Sequence, residues 1–109
     1  MKIIDFLNYS VQQNFFESPP GDILAELAKD SKKLLFFYHD SCHQCQRILK
    51  IVPKTKKVIL VNTREEWVRS IMPFFNIGST PSIAEMKNNI PTSKLIDDFT
   101  SFYRTIINL

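Results

Sequence analysis

Two glycines in 109 residues leave little material for tight turns at positive φ, which argues against an all-β sandwich built on many short hairpins. No uninterrupted apolar run is longer than Leu34 to Tyr38, far short of the ~20 residues a membrane span requires, so a membrane partner is not expected. The first residues, Met1-Lys2-Ile3-Ile4-Asp5, put an acid where the apolar region of a signal peptide would lie. No small-residue cleavage site follows, and a cytoplasmic protein is expected. Charge of one sign is also scarce: 14 basic against 11 acidic side chains give a formal net charge of +3, too mild to imply nucleic acid as a partner. Cysteine and histidine are limited to two residues each.

What the chain does contain suits one compact domain. Hydrophobic residues make up 44% of it and include nine phenylalanines, so an aromatic-rich core is expected, and nothing forces oligomerisation, which leaves a monomer as the expectation. The one basic cluster, Arg47, Lys50, Lys54, Lys56 and Lys57, reads as a solvated helix face and loop.

Periodicity orders the elements. Ile3, Ile4, Leu7, Val11 and Phe15 recur at helical spacing over residues 3–15, although Lys2 to Phe6 alone also suits a short strand. Ser18-Pro19-Pro20-Gly21 is a break, after which Asp22 is expected to cap a helix to about Lys29 with Ile23, Leu24 and Leu27 inward. Leu34–Tyr38 reads as a central strand buried on both faces. From Cys42 to about residue 52 the helical period returns, with Cys45, Ile48, Leu49 and Val52 on one face. Val58–Val61 reads as a second buried strand and Arg64–Ile71 as a helix with Trp67, Val68 and Ile71 inward. Strand, helix, strand in this order implies a parallel pair. A loop to Pro81, a strand Ser82–Met86, a turn at Asn88-Asn89 and an edge strand Lys94-Leu95-Ile96 follow. A closing helix over residues 99–107 is then capped by Asp97 or Asp98, the alternative to this edge strand being a longer helix capped by Ser93.

The two cysteines stand as Cys42-His43-Gln44-Cys45, where a buried strand hands over to a helix. Cysteines in a reducing compartment are more often catalytic, redox-active or metal-binding than structural. Positions i and i+3 of a helix lie ~5–6 Å apart, within the span a disulfide tolerates, so such a pair can close and open with little backbone movement. Cys42 falls at the helix N-terminus, where free N–H groups favour an anion, and is expected to be the nucleophile. Cys45 shares the apolar face and is expected to be the shielded, resolving thiol. Asp40 and Glu85 are the carboxylates considered as proton acceptors for it.

The apolar strand ending in Cys42-x-x-Cys45, the following strand and helix, and the stretch Pro73-Phe74-Phe75-Asn76-Ile77-Gly78-Ser79-Thr80-Pro81 together resemble the thioredoxin-like superfamily over about residues 32–107. The resemblance implies an α/β fold in residues 32–109, a central mixed four-stranded sheet flanked by helices, with residues 1–31 as an N-terminal helical extension packed on it. It implies a thiol–disulfide oxidoreductase that needs no cofactor beyond the redox-active pair. Its partners would be protein disulfide or dithiol substrates and a thiol reductant or reductase. It also implies a cis Pro81 beside the pair, with the Thr80 backbone, His43 and Gln44 contacting substrate. The pattern departs from the family where Phe36 replaces a buried Asp, where His43-Gln44 replaces Gly-Pro, and where the Gly-Gly that accompanies glutathione binding near Asp97 and Asp98 is missing.

Three other readings compete. His39, Cys42, His43 and Cys45 crowd seven residues, as a metal site would, but no second ligand pair exists elsewhere in the chain. Cys42 could instead bridge an iron–sulfur cluster between two chains, as in some glutaredoxins. The fold could also serve as an adaptor whose basic run docks an acidic partner. His43, if charged, would stabilise a Cys42 thiolate and make the pair more oxidising.

Overall fold

Successive side chains of strand β1, Lys32–Tyr38, point to opposite faces, and both faces are buried. Leu34 and Phe36 enter one apolar cluster, Leu35 and Phe37 the other. The computed structural model, which describes residues 2–52, 57–96, 100, 101 and 104, arranges everything else around this strand. Ahead of it lie helices α1, Ile3–Gln12, and α2, Gly21–Ala28; after it come α3, His43–Leu49, β2, Val58–Asn62, and α4, Glu66–Ile71. A 3-10 helix, Met72–Phe75, and a hairpin of β3, Ser82–Lys87, and β4, Ile90–Ile96, follow. The sheet order is β2-β1-β3-β4, with β1 parallel to β2 and antiparallel to β3, and β3 antiparallel to β4.

One face of the sheet is covered by α1, α2, α4 and the 3-10 helix, which contribute Ile3, Leu7, Leu27, Trp67, Val68, Ile71 and Phe75. The other is covered by α3 through Cys45 and Ile48. Burying Phe36 and Phe37 completely contributes about 1.5–3 kcal/mol each. Residues 1–31 therefore supply Ile3, Leu7 and Leu27 to the main core, and the N–H of Ile3 donates to the carbonyl of Asn89 at 2.9 Å. Among the described residues no helix is long and apolar enough to cross a membrane.

Several boundaries differ from the sequence expectations, each for a local reason. α1 stops before Phe15 because Asn14 adopts the left-handed region (φ 59°). Phe15 N–H then closes on the Ser10 carbonyl and Asn14 N–H on that of Val11, both at 3.0 Å, a Schellman-type end. Asp22 is not the cap of α2: Pro20 holds that position, no side chain caps the helix, and Asp22 lies in the first turn. α3 ends at Leu49, since the amides of Ile51 and Val52 both fold back onto the Ile48 carbonyl. α4 begins at Glu66, not Arg64.

The stretch before Pro81 is not all loop, because the 3-10 helix occupies Met72–Phe75 and ends as α1 does, on a left-handed asparagine, Asn76 (φ 57°). β2 is an edge strand, and its central Leu60 is 42% exposed, not buried. β4 starts at Ile90 and not at Lys94: Asn88 and Asn89, at φ 53° and 66°, form a two-residue turn whose twist matches the hairpin, so pairing begins at once. Thr100, Ser101 and Arg104 are helical, while Asp97, Asp98 and the rest of the expected closing helix lie outside the described residues.

Candidate active site

β1 ends at Tyr38, and the chain turns through His39-Asp40-Ser41 before α3 begins. The turn is closed by Cys42 N–H donating to the His39 carbonyl at 3.1 Å and by Ser41 N–H donating to His39 Nδ1 at 3.1 Å. Cys42 is the N-cap of α3, with extended backbone angles (φ −89°, ψ 108°), and its Sγ accepts the N–H of Cys45 at 3.1 Å. A sulfur here takes the place that a Ser or Asp oxygen takes in an ordinary N-cap. Cys42 and Cys45 are joined by a disulfide, their Cα atoms 5.2 Å apart. Cys42 is half-buried, whereas Cys45 is fully buried among Leu34, Phe36, Ile48, Val58, Ile83 and Ile96.

The loop before Cys42 is also held from the side by an arrangement the sequence reading missed. Tyr38 is in register with Asn62, so the turns that follow β1 and β2 emerge side by side. The Asp40 carboxylate accepts from Asn62 Nδ2 at 3.2 Å and from the Arg64 guanidinium at 2.9 Å, and Asn62 Oδ1 in turn accepts the Arg64 N–H at 2.9 Å. Thr63 N–H donates to the Tyr38 carbonyl at 2.8 Å, and Arg69 donates to the Thr63 carbonyl at 2.9 Å. Once two strands are read as parallel neighbours, polar residues just past both C-terminal ends are the signal that finds such a clamp.

Asp40 therefore faces Asn62 and Arg64. Glu85 lies opposite Leu34 toward the other end of β1, with Lys32 at 3.3 Å and Thr92 Oγ1 at 2.9 Å. The partners of the two carboxylates are thus Asn62 and Arg64 for Asp40, and Lys32 and Thr92 for Glu85. The Thr80–Pro81 bond is cis, as the resemblance implied. Ser82 pairs with Phe37, which brings Pro81 to the end of the sheet from which the Cys42 loop emerges. No hydrogen bond among the described residues occupies the main chain of Thr80. His43 and Gln44 are exposed on the first turn of α3, and neither hydrogen-bonds to the cysteine pair. Among the described residues, no group of three or more His, Cys, Asp or Glu is disposed to hold a metal ion.

No family model matches the sequence, and no curated protein matches it by sequence. Solved structures do match by shape. Thioredoxin from Malassezia sympodialis superposes with a TM-score of 0.59 at 18% identity, over 81% of this chain and 84% of that one. Oxidised thioredoxin from Plasmodium falciparum gives 0.59 at 17%, over 83% and 91%. Thioredoxin f from spinach chloroplast gives 0.58 at 13%, over 79% and 82%. This chain has a thioredoxin-like fold. Within it the disulfide sits at the head of α3, with the cis Thr80–Pro81 bond at the same end of the sheet. Lys54 and Lys56 of the basic run lie outside the described residues, while Arg47 and Lys50 are exposed on or just after α3.

Proposed function

We propose that this protein is a thiol–disulfide oxidoreductase acting on protein substrates, with Cys42 as nucleophile and Cys45 as resolving thiol. The observation that carries this reading is the closed Cys42–Cys45 disulfide, with one sulfur partly exposed and the other buried. In the reducing direction the Cys42 thiolate attacks a substrate disulfide, forming a mixed disulfide and releasing the first substrate thiolate. Cys45, as thiolate, then attacks Cys42 Sγ, which releases the second and restores the pair; two electrons pass to substrate. An external thiol reductant returns the pair to the dithiol. Run backwards, a substrate thiolate attacks the Cys42–Cys45 bond and the substrate is oxidised.

The surroundings favour this assignment of roles. An incoming sulfur reaches Cys42 first because Cys45 is enclosed by α3 and the sheet, and the Cys45 N–H that now points at Cys42 Sγ supports an anion there. An extended substrate segment would pair with the open main chain of Thr80, flanked by His43 and Gln44. The test uses the full chain, dithiothreitol and a disulfide-bonded reporter peptide. Wild type accelerates reduction of the peptide, Cys42→Ser loses all acceleration, and Cys45→Ser accumulates a one-to-one mixed disulfide at Cys42. If Cys42→Ser keeps the acceleration, the assignment of Cys42 as nucleophile falls; if wild type gives no acceleration, the enzymatic reading falls and an adaptor role takes its place.

A further inference from the structure

β2 is the edge of the sheet nearest α2, and its ladder with β1 fixes which of its groups are spent. The carbonyl of Lys57 accepts Leu34 N–H, and Thr63 N–H donates to the Tyr38 carbonyl, both at 2.8 Å. Given the parallel register Leu34↔Val58 to Tyr38↔Asn62, Lys57, Ile59, Val61 and Thr63 turn their main chain toward β1. Val58, Leu60 and Asn62 turn theirs outward. The Asn62 carbonyl accepts Glu65 N–H at 3.0 Å; the main-chain groups of Val58 and Leu60 and the Asn62 N–H have no hydrogen bond among the described residues.

The two edges of this sheet are treated differently. β4 carries Pro91, which has no N–H, and its pairing with β3 breaks register between Ala84 and Met86 of β3, both devices that discourage further pairing. β2 reads Val-Ile-Leu-Val-Asn, with no proline, no charge and no break, and presents Leu60 to solvent at its centre. Natural sheets rarely leave such an edge bare.

We propose that the β2 edge is a self-association surface on which two copies of this chain pair β2 against β2, antiparallel, about a two-fold axis at Leu60. In this register Leu60 faces Leu60 of the second copy, and Val58 faces its Asn62. Leu60 then exchanges both main-chain hydrogen bonds with its counterpart, the Asn62 N–H donates to the Val58 carbonyl, Val58 N–H takes the second lone pair of the Asn62 carbonyl that already accepts Glu65 N–H, and the exposed leucines cover each other. Charge at the strand ends favours this direction; beside the edge, where Asp22 and Glu26 of α2 line a cavity with Val58, Ile59 and Leu60, Glu26 is paired with Lys29. Lys57 falls opposite Thr63 of the second copy, on the face that alternation shares with Ile59 and Val61. There α4 begins with Glu66, and Glu65, Glu66 and Glu17 line one shallow cavity. A parallel pairing would instead set Lys57 against Lys57. The contact rests on one short strand, below the ~1,200 Å² of a tight complex, so the association is reversible. The two Cys42–Cys45 sites stand at opposite ends of the joined sheet, and the monomer expected from composition is the dilute form of this equilibrium.

The test measures molar mass of the full chain by sedimentation from about 1 µM to about 1 mM, with amide exchange at both limits. The mass moves from 12.7 kDa toward twice that value. Leu60→Lys raises the dissociation constant at least about tenfold, whereas Leu95→Lys, at an equally exposed leucine on β4, leaves it unchanged. In wild type the amides of Val58, Leu60 and Asn62 exchange fast at low concentration and slowly at high, while those of Ile59 and Val61 are slow at both. A wild-type monomer at about 1 mM, a dimer indifferent to Leu60→Lys, or outward amides that stay unprotected overturns the proposal. Protection that arises only when a foreign extended peptide is added assigns the edge to another chain and overturns it as well.

Discussion

Cys45 donates its N–H to Cys42 Sγ at 3.1 Å while its own side chain is wholly buried. The hydrogen bond and the exposure favour the same sulfur, so one thiol of the reduced pair is both more easily ionised and more easily reached. On brief treatment of the reduced protein with iodoacetamide, Cys42 is alkylated about a hundredfold faster than Cys45, read by peptide mass spectrometry. Equal rates would remove the assignment of roles.

Phe36 has no exposed surface and packs in the cluster that encloses Cys45. Phe36→Ala lowers unfolding free energy by about 3–5 kcal/mol in a denaturant titration, through lost transfer energy and the cavity left behind. Phe15, exposed beyond the end of α1, gives the contrast: its alanine variant stays within about 0.5 kcal/mol of wild type.

Asn89 occupies the second place of the β3–β4 turn at φ 66°, is only 2% exposed, and leaves its buried Oδ1 without a hydrogen-bond partner. Glycine suits this backbone better and removes the unsatisfied atom, while the carbonyl that accepts Ile3 N–H is kept. Asn89→Gly raises stability by about 1 kcal/mol, seen as a Tm about 4 °C higher.

In the clamp on the Cys42 loop, burial decides which member matters. Arg64 and Asp40 side chains are 69% and 54% exposed, so Arg64→Ala costs under about 1 kcal/mol. Asn62 is buried and bonds both Asp40 and the Arg64 main chain. Asn62→Ala costs about 1–3 kcal/mol in thermal unfolding, and equal losses in the two variants would refute this ranking.

His43 is exposed and hydrogen-bonds to neither cysteine. Solvent screens any charge it carries, so His43→Gln shifts the reduction potential of the pair by less than about 15 mV in a dithiothreitol redox titration. A larger shift would restore the view that this imidazole tunes the site.

The parts legible in the sequence were those written in local pattern. Leu34–Tyr38 is apolar at every position because both faces are covered, and the cysteine spacing and Pro81 are set by short-range geometry. The ends of α1 and the 3-10 helix were not legible, because Asn14 and Asn76 stop them by entering the left-handed region, which asparagine permits but does not announce. β2 carries the same apolar signature whether central or marginal, so its edge position appears only with the full strand order. Asp40 finds Asn62 and Arg64 through a parallel register spanning a whole crossover, information that no window of neighbouring residues contains.

The amide of Ile3 is anchored to the carbonyl of Asn89, in the last hairpin of the sheet. α1, synthesised before the sheet, thus waits for a turn made more than seventy residues later before its leading residue is secured. On the ribosome, α1 must stay without its final contact until β3 and β4 have emerged. Its apolar stripe, Ile3 and Leu7, is meanwhile exposed to chaperones or to other nascent chains.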